Sequence, residues 1–161
     1  MRCPCPTHPA RCVYITPMRL ALILAVLPLP AIAWEFSPDP ICTLTHQAQD
    51  AEIAITYDVR LPEYALFITL RTGRWPASDT FGMAFVGPRA GQIGTSQQTL
   101  SADGATLTVR DRGFGNVLDG LEFNDTAIAA SGDLAIAMSL ADAPEAVRAF
   151  RDCPRNDPPL S

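Results

Sequence analysis

The chain has 161 residues, 12 of them basic and 17 acidic, for a net charge of −5. Every basic residue is arginine, and that balance excludes the clustered positive charge that nucleic acid and anionic lipid surfaces require. The length suits one domain with a modest core.

Residues 1–17 carry Cys3, Cys5, Cys12 and four prolines without periodicity. They read as a leader upstream of the true start, and those cysteines would form a metal site only if the leader were translated and folded. Met18-Arg19 opens an apolar run to Leu29, followed by Ala31-Ile32-Ala33. A positive start, a short apolar stretch and an Ala-x-Ala site are the parts of a secretory signal peptide, here over residues 18–33. The alternative is a permanent N-terminal anchor, but a spanning helix needs about 20 apolar residues. The exported chain is expected to begin at Trp34, in the periplasm or outside the cell, with no membrane span after cleavage. Because Arg2, Arg11 and Arg19 precede Trp34, it keeps nine arginines against all 17 acids, a net of −8.

Residues 34–40 read as a Pro-rich lead-in. Residues 41–46 are strand-like, with Cys42, Leu44 and His46 on one face. In residues 51–59, Ile53, Ile55, Tyr57 and Val59 alternate with Glu52, Ala54, Thr56 and Asp58, the pattern of a half-buried strand. Tyr64, Leu66, Ile68 and Leu70 repeat it. A polar loop over 71–79 holds Trp75, and residues 80–86 return to strand with Phe81, Met83 and Phe85 on one side. Residues 87–94 are turn-rich. Strand-like runs at 97–101 and 105–110 flank Asp103-Gly104, a strong hairpin signal.

Residues 111–125 are interrupted by Gly113, Gly115 and Gly120. They read as an exposed glycine-rich loop, with about one turn of helix where Val117, Leu118 and Leu121 have helical spacing. Two strands joined by Ser131-Gly132-Asp133 follow. In the second, Leu134, Ile136, Met138 and Leu140 alternate with small residues. A helix is predicted from about Ala143 to Asp152, capped by Asp142 with Glu145 as capping-box partner. Arg148 and Arg151 would lie toward the negative end of its dipole. Ala146, Phe150 and Cys153 share one helix side. Pro154 is expected to end the helix, leaving residues 154–161 as a disordered tail.

Cys42 and Cys153 are the only cysteines after Trp34. In a small exported domain such a pair most often forms a disulfide, the alternative being two buried free thiols. A catalytic Cys42–His46 pair is not expected: four strand residues span roughly 13 Å at about 3.3 Å each. A single His46 without partner groups reads as structural. Residues 111–122 have the length of a calcium loop, but Gly113 and Gly115 stand where oxygen ligands are required. No lysine completes a phosphate-binding loop. Neither a metal nor a cofactor is called for. The candidate ligand-binding residues are Asp111, Asn116, Asp119 and Asp125, whose side chains could alternatively cap local turns, together with Trp75, which could alternatively close the sheet core.

The expected fold is one mainly β domain over 34–153: an antiparallel sandwich or partly closed barrel with one C-terminal helix. The expected role is a non-enzymatic binding or interaction protein, its partner an envelope protein or a small ligand. The alternative is a small carboxylate-dependent hydrolase near residues 111–125. Convergence of Asp111, Asp119 and Asp125 in one pocket would favour the enzyme; splayed carboxylates capping turns would favour binding.

Trp34-Glu35-Phe36, Ile41-Cys42-Thr43-Leu44-Thr45, Thr56-Tyr57-Asp58, residues 111–125, and Ala149-Phe150-Arg151 before Cys153 together resemble a group of small exported proteins of alphaproteobacteria. The resemblance covers essentially 34–153. It implies export but no activity or catalytic residue. Some members of that group carry the name of the helicase component of excinuclease ABC. An ATP-driven DNA repair helicase needs a P-loop lysine, a cytoplasmic location and several large domains, none of which this sequence suggests. The frame of two cysteines with a closing strand and helix is also loosely similar to envelope proteins of the invasion-associated locus B type.

Overall fold

The computed structural model describes residues 33–156. The expected leader and nearly all of the signal peptide lie outside the described residues, as do residues 157–161 of the expected tail. The elements run β1 (Trp34–Ser37), β2 (Cys42–Gln47), β3 (Ala51–Asp58), β4 (Glu63–Leu70), β5 (Phe81–Val86), β6 (Gly91–Thr95), β7 (Thr99–Leu100), β8 (Thr106–Asp111), α1 (Gly115–Phe123), β9 (Thr126–Ser131), β10 (Leu134–Ser139) and α2 (Ala143–Asn156). They form a six-stranded sheet in the order β1-β2-β3-β4-β8-β7 and a four-stranded sheet in the order β10-β9-β5-β6. All strand pairs are antiparallel. The fold is therefore mainly β with a C-terminal helix, as expected, and its two sheets do not close into a barrel.

Register turns the period-two pattern into rows of inward side chains. In the larger sheet Trp34, His46, Ile53, Ile68 and Leu107 are successive cross-strand partners, and Phe36, Leu44, Ile55, Leu66 and Val109 form the next row. A third row runs Cys42, Tyr57, Tyr64 and Asp111. The smaller sheet answers with Leu134, Ser131, Phe81 and Thr95, then Ile136, Ala129, Met83 and Ile93, then Met138, Ala127, Phe85 and Gly91. Leu44, Ile55, Ile68, Leu107 and Ala129 are wholly buried. Each large apolar side chain so removed from water stabilises the fold by about 1.5–3 kcal/mol.

The helices connect the sheets. In α2, Cys153 is bonded to Cys42 of β2 with Cα atoms 6.1 Å apart. Phe150, also on α2, meets Phe36 edge-on and Tyr64 at a tilt. Gly120 of α1 lies against the Phe85 ring of β5. At another corner the Trp34 indole N–H donates to the Ser139 carbonyl at 3.0 Å, tying β1 to β10.

Five expectations are corrected. The lead-in at Trp34 is a strand, because β2 supplies a full ladder of partners. Residues 91–95 are an edge strand rather than turn alone. Val59 is 45% exposed, because β3 ends at Asp58 and the chain turns through the Asp58–Arg60 ion pair. Residues 111–125 are not an exposed loop: α1 spans nine residues and buries Val117, Leu118, Gly120 and Leu121. Finally, α2 runs past Pro154 to Asn156. Proline in a helix removes one hydrogen-bond donor and crowds the preceding turn, and the bond at Cys153 fixes the turn where it falls.

Candidate functional site

The Trp34–Ser139 contact joins the sheets on the β1/β10 side. On the opposite side, β8 of one sheet and β6 of the other leave a cleft of about 340 Å³. The buried side chains Leu66, Phe81, Met83, Val109, Phe114 and Val117 line it, and so do Ile93, Thr95, Asp111 and Asn116 and the glycines 94 and 113. Register places Asp111 there: it continues the inward alternation of Leu107 and Val109 and pairs with Tyr64. Thr95 follows Ile93 inward on β6 in the same way. Asp111 is exposed at the mouth. Its Oδ1 accepts the backbone N–H groups of Arg112 and Gly113 at 2.6 and 3.2 Å, an Asx turn that swings the chain from β8 into α1. Phe114, at the start of α1, stacks on Tyr64 with ring centroids 5.4 Å apart. Burial raises the Tyr64 hydroxyl above its ordinary pKa; nearby Tyr57 adds to this and Arg151 opposes it.

The remaining candidates are placed elsewhere. Asn116 lines the cleft and also a neighbouring hollow, where Asp119 lies with Phe85, Arg89 and Gly120. The Asp119 carboxylate accepts from Arg151 of α2, and Arg151 also lies 3.1 Å from Glu122. Asp125 is exposed at the junction of α1 and β9; its backbone N–H donates to Val86 and its carbonyl accepts from Leu140. Trp75 is not an exposed aromatic. It is 3% exposed, its indole N–H donates to the Ile68 carbonyl at 3.0 Å, and it meets Phe81 edge-on. An indole in the loop that closes one end of the sandwich is satisfied by a backbone carbonyl while its ring covers the core.

Local capping extends to Asn124, which the sequence did not single out. It is buried at the end of α1, donates to the Gly120 carbonyl and accepts the Arg89 N–H. Also missed was the pairing of Glu122 with Arg148 and Arg151 across the two helices. The inward polar positions of Asp111 and Thr95, at the ends of alternating strands, were the one sequence signal for the cleft.

His46 is 2% exposed and stacked on Trp34, and neither ring nitrogen completes a hydrogen bond. Burial lowers its pKa. The Ala33 backbone and the Asp142 charge act in the opposite sense, Ala33 lying close to the ring without hydrogen-bonding geometry. Among the described residues no three His, Cys, Asp or Glu side chains gather to hold a metal ion, and no helix is long and apolar enough to cross a membrane. The Cys42–Cys153 bridge is compatible with an oxidising, exported location.

These features define a disulfide-bonded, two-sheet β-sandwich with a lateral cleft. Comparison with protein-family models, curated proteins and solved structures finds no match.

Proposed function

We propose that this chain is an exported, non-catalytic binding protein, periplasmic or secreted, and that a small ligand occupies the cleft between β6 and β8. The observation that carries the reading is the cleft itself. Its floor is apolar, its mouth holds a few polar groups, and its volume of about 340 Å³ falls within the roughly 300–1,000 Å³ common for small-molecule sites. Hydrolysis by an acid–base carboxylate pair, as in most glycoside hydrolases, needs two carboxyl groups flanking one scissile bond. Among the described residues the cleft lining contains one, Asp111, while Asp119 is engaged with Arg151. The signal-peptide pattern and the resemblance to exported proteins of alphaproteobacteria support the compartment.

The test is methyl-resolved NMR of the oxidised protein against a mixed fragment set. Shifts concentrated at Met83, Ile93, Val109 and Val117 are expected. Fragments that bind only outside the cleft, or none that bind, would overturn the assignment. N-terminal sequencing of the exported protein should read Trp34 first, and a product retaining Cys3, Cys5 and Cys12 would overturn the start and cleavage reading.

A further inference from the structure

We infer that the cleft selects short amphiphiles with a cationic or neutral head, primary alkylamines above all, and discriminates against the corresponding carboxylates. This rests on the reading of the cleft as a binding site.

Size and sign of charge carry the argument. At about 30 Å³ for each water-sized group, the 340 Å³ cleft has room for on the order of ten non-hydrogen atoms. The buried floor of Leu66, Met83, Val109 and Val117 suits a hydrocarbon tail, and the polar groups are gathered at the mouth. Among the described residues no arginine lines it. Arg112 is next to Asp111 in sequence but is not part of the lining, Arg110 pairs with Glu63, and Arg89 lies over the Phe123 ring. Thr95 and Asn116 can both donate and accept, so they do not discriminate between heads.

Two features do discriminate, and they oppose each other. The cleft borders the start of α1, whose first turn has no acidic residue and no side-chain cap. A helix N-terminus carries about +0.5 elementary charge and favours an anion. Asp111 carries a full negative charge at the same mouth. Its Oδ1 is held by the Arg112 and Gly113 N–H groups, and among the described residues its Oδ2 has no protein donor. A full charge outweighs about half a charge at similar range, so among the described residues the lining itself is net negative. An ammonium there gains a charge-assisted hydrogen bond, whereas a carboxylate meets repulsion.

The experiment compares octan-1-amine, octan-1-ol and octanoate, each below its micelle concentration, by calorimetry and by the methyl shifts of Met83, Val109 and Val117. Tail and length are constant, so only the head varies. The amine should bind at least tenfold more tightly than octanoate, with the alcohol between. Asp111→Asn keeps the Oδ1 acceptor that holds the turn. It should weaken the amine tenfold or more and leave the alcohol within about threefold, consistent with loss of one hydrogen bond to a charged group; retained alcohol binding also reports that the variant is folded. Octanoate binding as tightly as the amine, or an amine preference that survives Asp111→Asn, would overturn the head-group inference while leaving the cleft as a binding site. Silence of all three ligands at the cleft methyls would overturn both.

Discussion

Trp34 lies flat on His46, ring centroids 4.6 Å apart and planes 8° from parallel, as direct cross-strand partners in β1 and β2. The stack seals the imidazole from water and leaves both its nitrogens without a hydrogen bond. Burial is the main reason its pKa lies below the ordinary 6.5, and the nearby Asp142 charge only partly offsets it. In the folded protein the neutral ring is therefore the favoured form.

That relationship makes stability depend on pH, with a definite sign. Above pH 6.5 His46 is mostly neutral in both states, and no stability is lost there. As pH falls below that value the unfolded chain takes up a proton that the folded chain resists. Stability declines until pH passes the lowered folded value. Melting temperature measured between about pH 7.5 and about pH 5.5 should fall toward the acid side. His46→Phe keeps a ring on Trp34 without a titrating nitrogen, and its profile should be flatter over this window. Parallel wild-type and variant profiles would refute the account.

The Cys42–Cys153 bond closes a loop of sequence separation 111, nearly the whole domain. Constraining a loop of about 100 residues is worth about 4.7 kcal/mol in the chain-entropy model, and losing a native bridge from a small exported domain typically costs about 2–5 kcal/mol. Against a typical domain stability of about 5–15 kcal/mol, that is a large share. Reductant should lower the melting temperature by about 10 °C or more, since each kcal/mol moves a domain of this size by about 4 °C. Without reductant, alkylation should label neither cysteine; ready labelling of Cys42 would refute the bridge.

Local patterns in the sequence were enough for β3, whose Ile53 and Ile55 alternate with Glu52 and Ala54, and for the Asp103-Gly104 turn, where Gly104 has φ 74°. The Cys42–Cys153 contact was legible because Cys42 shares a strand face with Leu44 and Cys153 a helix face with Phe150. What was missed depends on distant partners. Trp34-Glu35-Phe36 becomes a strand through β2 and through the Ser139 carbonyl on the other sheet. Gly113, Gly115 and Gly120 argued for a loop, because glycine costs a helix about 1 kcal/mol relative to alanine. In α1, however, Gly120 admits the Phe85 ring. Asp111 was singled out for its charge, and the alternation of Leu107 and Val109 before it marks it as inward, but its pairing with Tyr64 follows from register between strands distant in sequence.

The two helices are joined by charges of unequal burial. The Asp119 side chain is 57% exposed and that of Glu122 only 11%, although both face Arg151. Exposed pairs contribute about 0–1 kcal/mol, so Asp119→Ala should shift stability by less than about 1 kcal/mol. Glu122 also lies 3.6 Å from Arg148, and removing it takes a mostly buried partner from both arginines. Glu122→Ala should cost about 1–3 kcal/mol, between the value of an exposed ion pair and that of a fully buried one. Denaturant titration of both variants checks the ranking, and an equal or larger loss for Asp119→Ala would contradict it.

The contact between Gly120 and Phe85 gives the sharpest test of how α1 docks. A methyl group built on Gly120 would overlap the Phe85 ring, and Phe85 is itself only 4% exposed, with little room to retreat. Two effects then compete at this position. Alanine favours the helix by about 1 kcal/mol over glycine, whereas overpacking a filled core costs typically about 1–3 kcal/mol. With the ring in place overpacking wins, and Gly120→Ala should destabilise the protein by about 1–2 kcal/mol. Phe85→Leu alone should also destabilise, by removing part of a buried ring. In that background the obstacle is gone and helix propensity decides, so adding Gly120→Ala should become neutral or stabilising by up to about 1 kcal/mol. Urea unfolding of the two single variants and the double variant measures the reversal directly. If Gly120→Ala destabilises equally in both backgrounds, close approach to Phe85 is not why glycine occupies this helix.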